Sequence, residues 1–98
     1  MTLDIDSPEN LYLRAKGSYY ECILDPSNDF LKNEIDVPIA EITLIEQHIR
    51  VQFLKYEVNN LIVEVKLLMA RPDNTILGYY AYHEDENQVC VDDFLVFD

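Results

Sequence analysis

The chain has little glycine, little cysteine and no tryptophan: two Gly, two Cys and no Trp in 98 residues. Two glycines cannot build a phosphate cradle, and no G-x-G-x-x-G, G-x-x-x-x-G-K-[ST] or G-x-S-x-G occurs. Cys22 and Cys90 form no C-x-x-C, and with His48 and His83 they give no metal-ligand spacing. No cofactor and no metal are therefore expected, nor a Cys–His nucleophile pair, and the chain reads as non-catalytic. The opening "MTLDIDSPEN" has neither a basic segment nor an apolar one, so no secretory signal is expected. Both cysteines then read as reduced thiols of a cytoplasmic protein. No apolar run approaches the roughly 20 residues that span a bilayer, so no membrane role is expected.

Positive charge is also scarce. Seven Lys and Arg face nineteen Asp and Glu, a formal net charge of −12. No base follows Arg71, while Asp73, Glu84, Asp85, Glu86, Asp92, Asp93 and Asp98 do. Nucleic acid is excluded as a partner, because its recognition begins with bases that neutralise phosphates. Anionic membrane is excluded for the same reason. A basic protein partner is favoured.

What is abundant is apolar and aromatic: 49% hydrophobic residues, with seven Tyr and four Phe. That supports one domain over residues 1–98 with a single core. The second half reads as an antiparallel meander. In "IRVQFLKYEVNNLIVEVKLLMA", Asn59-Asn60 can form a two-residue turn, since Asn tolerates positive φ. The register this implies sets Val58 opposite Leu61, Tyr56 opposite Val63 and Leu54 opposite Val65. It also sets Lys55 opposite Glu64 and Val51 opposite Leu68. "RPDN" (Arg71–Asn74) is the next turn. "TILGYYAY" follows, with Tyr80 joining Val65 and Tyr82 joining Val63. The acidic stretch "HEDENQ" then leads into "VCVDDFLVF", bringing Val89 and Val91 to Tyr82 and Tyr80. Residues 48–97 thus read as four strands sharing an apolar face of Leu54, Tyr56, Val58, Leu61, Val63, Val65, Leu67, Tyr80, Tyr82 and Val91.

That face needs a cover, and the first half must supply it. "SPEN" is a helix start, with Ser7 as N-cap and Pro8 in the first turn. Leu11, Ala15 and Tyr19 then fall on one stripe, although Gly17 weakens the helix. A hairpin around Lys16-Gly17 is the rival reading of residues 8–24. Residues 37–49 are equally divided between a helix capped by Asp36, with Ile39, Ile42, Ile45 and Ile49 on one side, and a strand rich in β-branched residues. "LDPSNDFLKN" reads as loop. The expected class is α+β, a four-stranded antiparallel meander covered by a helical or mixed N-terminal half. An all-β sandwich or barrel is the alternative.

The closing "HEDENQVCVDDFLVFD" carries six acids and no base. It lacks the EF-hand pattern: no Gly makes the sharp turn, and the twelfth position from Asp85 is Val96 rather than Glu. Asp92 and Asp93 also point to opposite faces of a strand. The candidate partner-binding residues are Glu84, Asp85, Glu86, Asp92 and Asp93, with Tyr79 on the outer face near Lys66. Carboxylates steer a basic partner, and tyrosine anchors it. The expected function is a non-catalytic acidic module engaging a basic protein, of inhibitor, immunity, antitoxin or nucleic-acid-mimic type. Two alternatives remain: a small-molecule cup lined by Tyr80 and Tyr82, and a homodimer closed through the sheet or an edge strand.

Overall fold

The computed structural model describes residues 5–54 and 57–98, with side chains for all of these except Lys32, Glu57, Val58 and Asn59. It is α+β: one helix lies on an open, four-stranded antiparallel sheet. The helix α1 runs Pro8–Leu24 and is followed by 3-10 turns at Pro26–Glu34 and Ile39–Glu41. The strands β1 (Thr43–Leu54), β2 (Glu57–Ala70), β3 (Ile76–Asp85) and β4 (Cys90–Phe97) pair in the order β1-β2-β3-β4.

The helix reading of residues 8–24 holds, and the hairpin does not. Ser7 Oγ accepts the Asn10 N–H at 3.3 Å, Pro8 opens the first turn, and Glu9 sits at the positive end of the dipole. Leu11, Ala15, Tyr19 and Ile23 recur every fourth residue and are buried. The helix stops before Pro26, whose ring restricts Asp25 to extended backbone. Asn28 Nδ2 then donates to the Cys22 carbonyl at 2.9 Å, satisfying one of the last-turn acceptors. The segment read as loop is in fact the longer 3-10 stretch. Residues 37–49 are not a helix: after the short turn at Ile39–Glu41 the chain enters β1 at Thr43, earlier than the expected start of the sheet at residue 48. Its β-branched content decided that choice.

The first hairpin corrects the expected register. Asn59 and Asn60 lie inside β2, and neither has the positive φ a type I′ turn demands. Leu54 pairs with Glu57, so the hairpin does not turn at Asn59-Asn60; the expected positions of Lys55 and Tyr56 lie outside the described residues. Phe53 faces Leu61, Val51 faces Val63, Ile49 faces Val65 and Arg50 faces Glu64. Val65 thus meets Ile49 instead of Leu54. An odd displacement of this kind exchanges the two faces of β1. The observed hairpin keeps aliphatic cross-strand pairs and gives Glu64 an Arg in place of the expected Lys.

The turn at Arg71–Asn74 forms as expected, with Asn74 at φ 71° and its N–H donating to the Arg71 carbonyl at 2.9 Å. Tyr80 pairs with Leu67 and Tyr82 with Val65, displaced by an even step that keeps both on the core face. In the last hairpin, Tyr82 meets Asp93 and Tyr80 meets Leu95. Val91 is therefore not part of the core; it is half exposed, as is Val89. The acidic turn is responsible. The Asp85 carboxylate accepts the N–H groups of Asn87 and Val89 at 2.8 and 3.1 Å, and a bulge follows between His83 and Glu84.

The core is the inner sheet face against α1: Leu11, Ala15, Tyr19 and Ile23 pack on Leu61, Val63, Val65, Leu67, Met69, Tyr80 and Tyr82. The pairing orders the outer face in rows across all four strands. One row is Ile45, Leu68, Tyr79, Val96; the next is His48, Lys66, Ala81, Phe94; the third is Arg50, Glu64, His83, Asp92.

The two glycines make opposite predictions. A Cβ on Gly78 would strike the Val96 carbonyl oxygen and come within 2.9 Å of Phe97 Cα. Gly17 lies exposed within α1 and its Cβ would meet nothing within 4 Å. By urea denaturation, Gly17→Ala should raise stability by about 1 kcal/mol. Gly78→Ala should lower it by about 1–3 kcal/mol or more, because backbone must move.

Candidate functional site

Of the residues singled out in the sequence, Glu84 takes the least expected place. It sits on the inner face of β3 and is only 2% exposed, so it is not part of an accessible acidic surface. Strand alternation from Tyr80 and Tyr82 places it on the inner face, opposite Val63 and facing α1. There Arg14 grips it with both arms of the guanidinium, Nε to Oε2 at 3.0 Å and Nη2 to Oε1 at 2.8 Å. The Tyr82 hydroxyl donates to Oε2 at 2.8 Å, and Arg14 Nη1 reaches Asp6 at 2.7 Å. The hydrogen bonds to Glu84 and Asp6 raise the Arg14 pKa further, and burial with the Glu84 hydrogen bond raises that of Tyr82. This is a satisfied, charge-paired cluster.

A second polar tie joins α1 to β3 and β4. The Tyr80 hydroxyl donates to Asp93 Oδ2 at 2.8 Å and is hydrogen-bonded to Ser18 Oγ at 2.8 Å. Asp93 is half buried and borders a groove of about 300 Å³ with Ser18, Glu21, Cys22, Asp25 and Asn28. A neighbouring groove of about 280 Å³ continues along the helix past Arg14, Gly17, Tyr82 and Cys90. Both grooves are open and lie between the second half of α1 and β4. Burial pushes the Cys22 and Cys90 thiols up, so both free cysteines stay protonated and weakly nucleophilic at neutral pH.

The other candidates disperse. Glu86 and Asp92 are exposed, and Asp92 lies on the outer face. Asp85 is half buried and spends one carboxylate oxygen on its own turn. Tyr79 lies half buried on the outer face, with Lys66 Nζ 4.3 Å from its ring centroid. Among the described residues, no group of three His, Cys, Asp or Glu is placed to hold a metal ion. Tyr80 and Tyr82 are buried beneath α1, and Tyr82 also borders the second groove.

Sequence reading missed Glu21 and Asp25, the acids that flank Asp93 across the groove. Their signal was present as an i, i+4 pair on a helical stripe with Ser18, but it depended on the helix reading of residues 8–24.

The Arg14–Glu84 pair carries two predictions. Arg14→Ala strands a buried carboxylate and should cost about 3–5 kcal/mol in urea denaturation at pH 7. Exchanging both residues together for Leu should cost far less, since no charge remains unpaired. Separately, the Arg14 hydrogen bond holds the Asp6 carboxyl down from its ordinary 3.8 to about 2. Its contribution is present above pH 4 and is lost as pH falls toward 2. Acid titration of stability should therefore be shallower in Asp6→Asn across that window; an unchanged slope refutes the assignment. Comparison of the chain with family models, with curated proteins and with solved structures finds no match to any of them.

Proposed function

We propose that this chain is a non-catalytic binding module that takes a basic, extended segment of a protein partner along the open edge of β4. The observation that carries this reading is the state of that edge. From Asp92 to Phe97 the pairing with β3 runs without a register shift. The Asp98 N–H donates to the Leu77 carbonyl at 2.8 Å. Antiparallel alternation then turns the backbone groups of Asp93, Leu95 and Phe97 away from β3, toward the free side. The Asp92 carboxylate accepts the Asp93 N–H at 2.9 Å, a local substitute for a neighbouring strand. The opposite edge, β1, is interrupted by two register shifts, which blunts it for pairing.

Beside the β4 edge lie Glu21, Asp25 and Asp93, with Glu86 and Asp92 near its start. The four Arg and Lys residues with described ion pairs, Arg14, Lys16, Arg50 and Arg71, are engaged with Asp6, Glu84, Glu46, Glu64 and Asp36. None of these acids borders the groove. A strand added to β4 would gain main-chain hydrogen bonds, and its Lys or Arg side chains would find the groove acids within reach. Among the described residues no helix is long and apolar enough to cross a membrane.

The test is titration with a synthetic octapeptide alternating Lys and Val, followed by amide NMR at two salt concentrations. Shifts should concentrate on Asp93, Leu95, Phe97 and the α1 residues from Ser18 to Asp25. Affinity should fall as salt rises. The triple substitution Glu21→Gln, Asp25→Asn, Asp93→Asn should weaken binding by tenfold or more. Shifts scattered over the whole surface would reduce the effect to diffuse charge attraction and overturn the edge assignment.

A further inference from the structure

The sheet has two faces and α1 covers one. The other combines an apolar row with a polar row that carries a base at one end and an acid at the other, and we infer that it is the contact surface of a symmetric dimer, a second copy of this chain seated on it face to face. The opposite charges at the two ends of the third row carry the inference. It runs Arg50 on β1, Glu64 on β2, His83 on β3 and Asp92 on β4. A two-fold axis along the strand direction lays β1 of one copy over β4 of the other, and β2 over β3. Arg50 then faces the partner's Asp92, and Glu64 faces the partner's His83. Symmetry repeats both pairs.

The same operation lays each remaining row on itself, and His48 meets the partner's Phe94. Ile45 meets the partner's Val96, and Leu68 meets the partner's Tyr79, so the apolar row closes on itself. Lys66 meets the partner's Ala81, whose small side chain leaves room for the ammonium lying over Tyr79. A two-fold axis across the strands would instead reverse the row order and set apolar residues against charges. The axis along the strands is therefore the self-complementary one, and it gives the aligned sandwich that twisted sheets favour.

The exposed apolar side chains on this face support a covered state. Phe94 is 48% exposed and Ile45 38%. Four strands about 4.8 Å apart and about eight residues long span roughly 19 by 26 Å. That is a projected area of roughly 500 Å², which side-chain relief raises toward the roughly 800 Å² per partner of a standard interface. The interface is distinct from the β4 edge, which stays open in the dimer.

Sedimentation equilibrium at about 0.15 M salt, where charges more than roughly 8 Å apart are screened, reads the pairing directly. The chain should approach twice its 11.5 kDa mass with rising concentration. Arg50 and Asp92 are exposed, so substituting them spares the core. Arg50→Asp alone and Asp92→Arg alone should each weaken association at least tenfold, because each sets like charges against each other twice. An equimolar mixture of the two variants should restore it. The first variant is acidic at both positions and the second basic at both, so each contact of the mixed dimer again joins opposite signs. Leu68→Lys should weaken association irrespective of mixing. A strictly monomeric mass to millimolar concentration overturns the pairing and leaves the face to a different partner. A dimer indifferent to all three substitutions also overturns it, and places the copies' contact elsewhere, at the β4 edge first. Peptide binding at β4 should survive Arg50→Asp, which separates failure of this inference from failure of the edge assignment.

Discussion

The carboxylate of Glu84 faces the packed side of the sheet, and the position of the helix follows from how it is neutralised. An isolated carboxylate there would cost several kcal/mol of desolvation. Arg14 removes that cost through two short hydrogen bonds, and Tyr82 adds a third. Apolar contacts alone leave a helix free to slide, because Leu11, Ala15, Tyr19 and Ile23 recur once per turn. A slide of one turn, about 5.4 Å, would break the Arg14–Glu84 fork completely. The ion pair thus fixes the axial position of α1, and Ser18 with Tyr80 and Asp93 repeats the constraint one turn further on. The groove beside β4 exists where it does because of these two ties.

The parts of this fold that were legible in the sequence are those set by local chemistry. The helix start at Ser7-Pro8, the turn at Arg71–Asn74 and the core placement of Tyr80 and Tyr82 all depend on residues within a few positions of one another. Register was harder, because it is decided between strands. Asn59-Asn60 has turn chemistry, yet β2 runs through it, since Val51–Val63, Ile49–Val65 and Arg50–Glu64 outweigh a weak turn signal. The last hairpin slipped for a different reason: the Asp85 carboxylate widens the turn by binding two backbone amides, and no periodicity reports that. Lys66 beside Tyr79 was legible even so, because an even slip preserves faces.

The acidic candidates were legible as composition and illegible as geometry. Glu84, Asp85 and Glu86 are consecutive in the chain, and they end in three environments: a buried fork, a turn clasp and open solvent. A strand alternates its side chains between faces and a turn consumes its first acid, so a run of carboxylates at a hairpin end cannot form one surface. The acids that do share a groove, Glu21, Asp25 and Asp93, lie far apart in sequence and converge only once α1 is seated.

A net charge of −12 therefore has no single location. Across its three rows the outer sheet face is close to balanced, with Arg50 and Lys66 against Glu64 and Asp92 and two histidines among them. Among the described residues the strip between α1 and β4 is unbalanced: Arg14 is the base that borders it, and both arms of that guanidinium are already held by Glu84 and Asp6. Charge steering acts through local potential rather than the total, so the basic partner proposed above would be drawn to the strip and not to the face. The face has too few unmatched charges to attract such a partner and too many apolar side chains to stay fully wet at no cost. The two surfaces differ in physical character because Arg14 is committed to Glu84 and Asp6, so that among the described side chains no free base is left to the neighbouring acids.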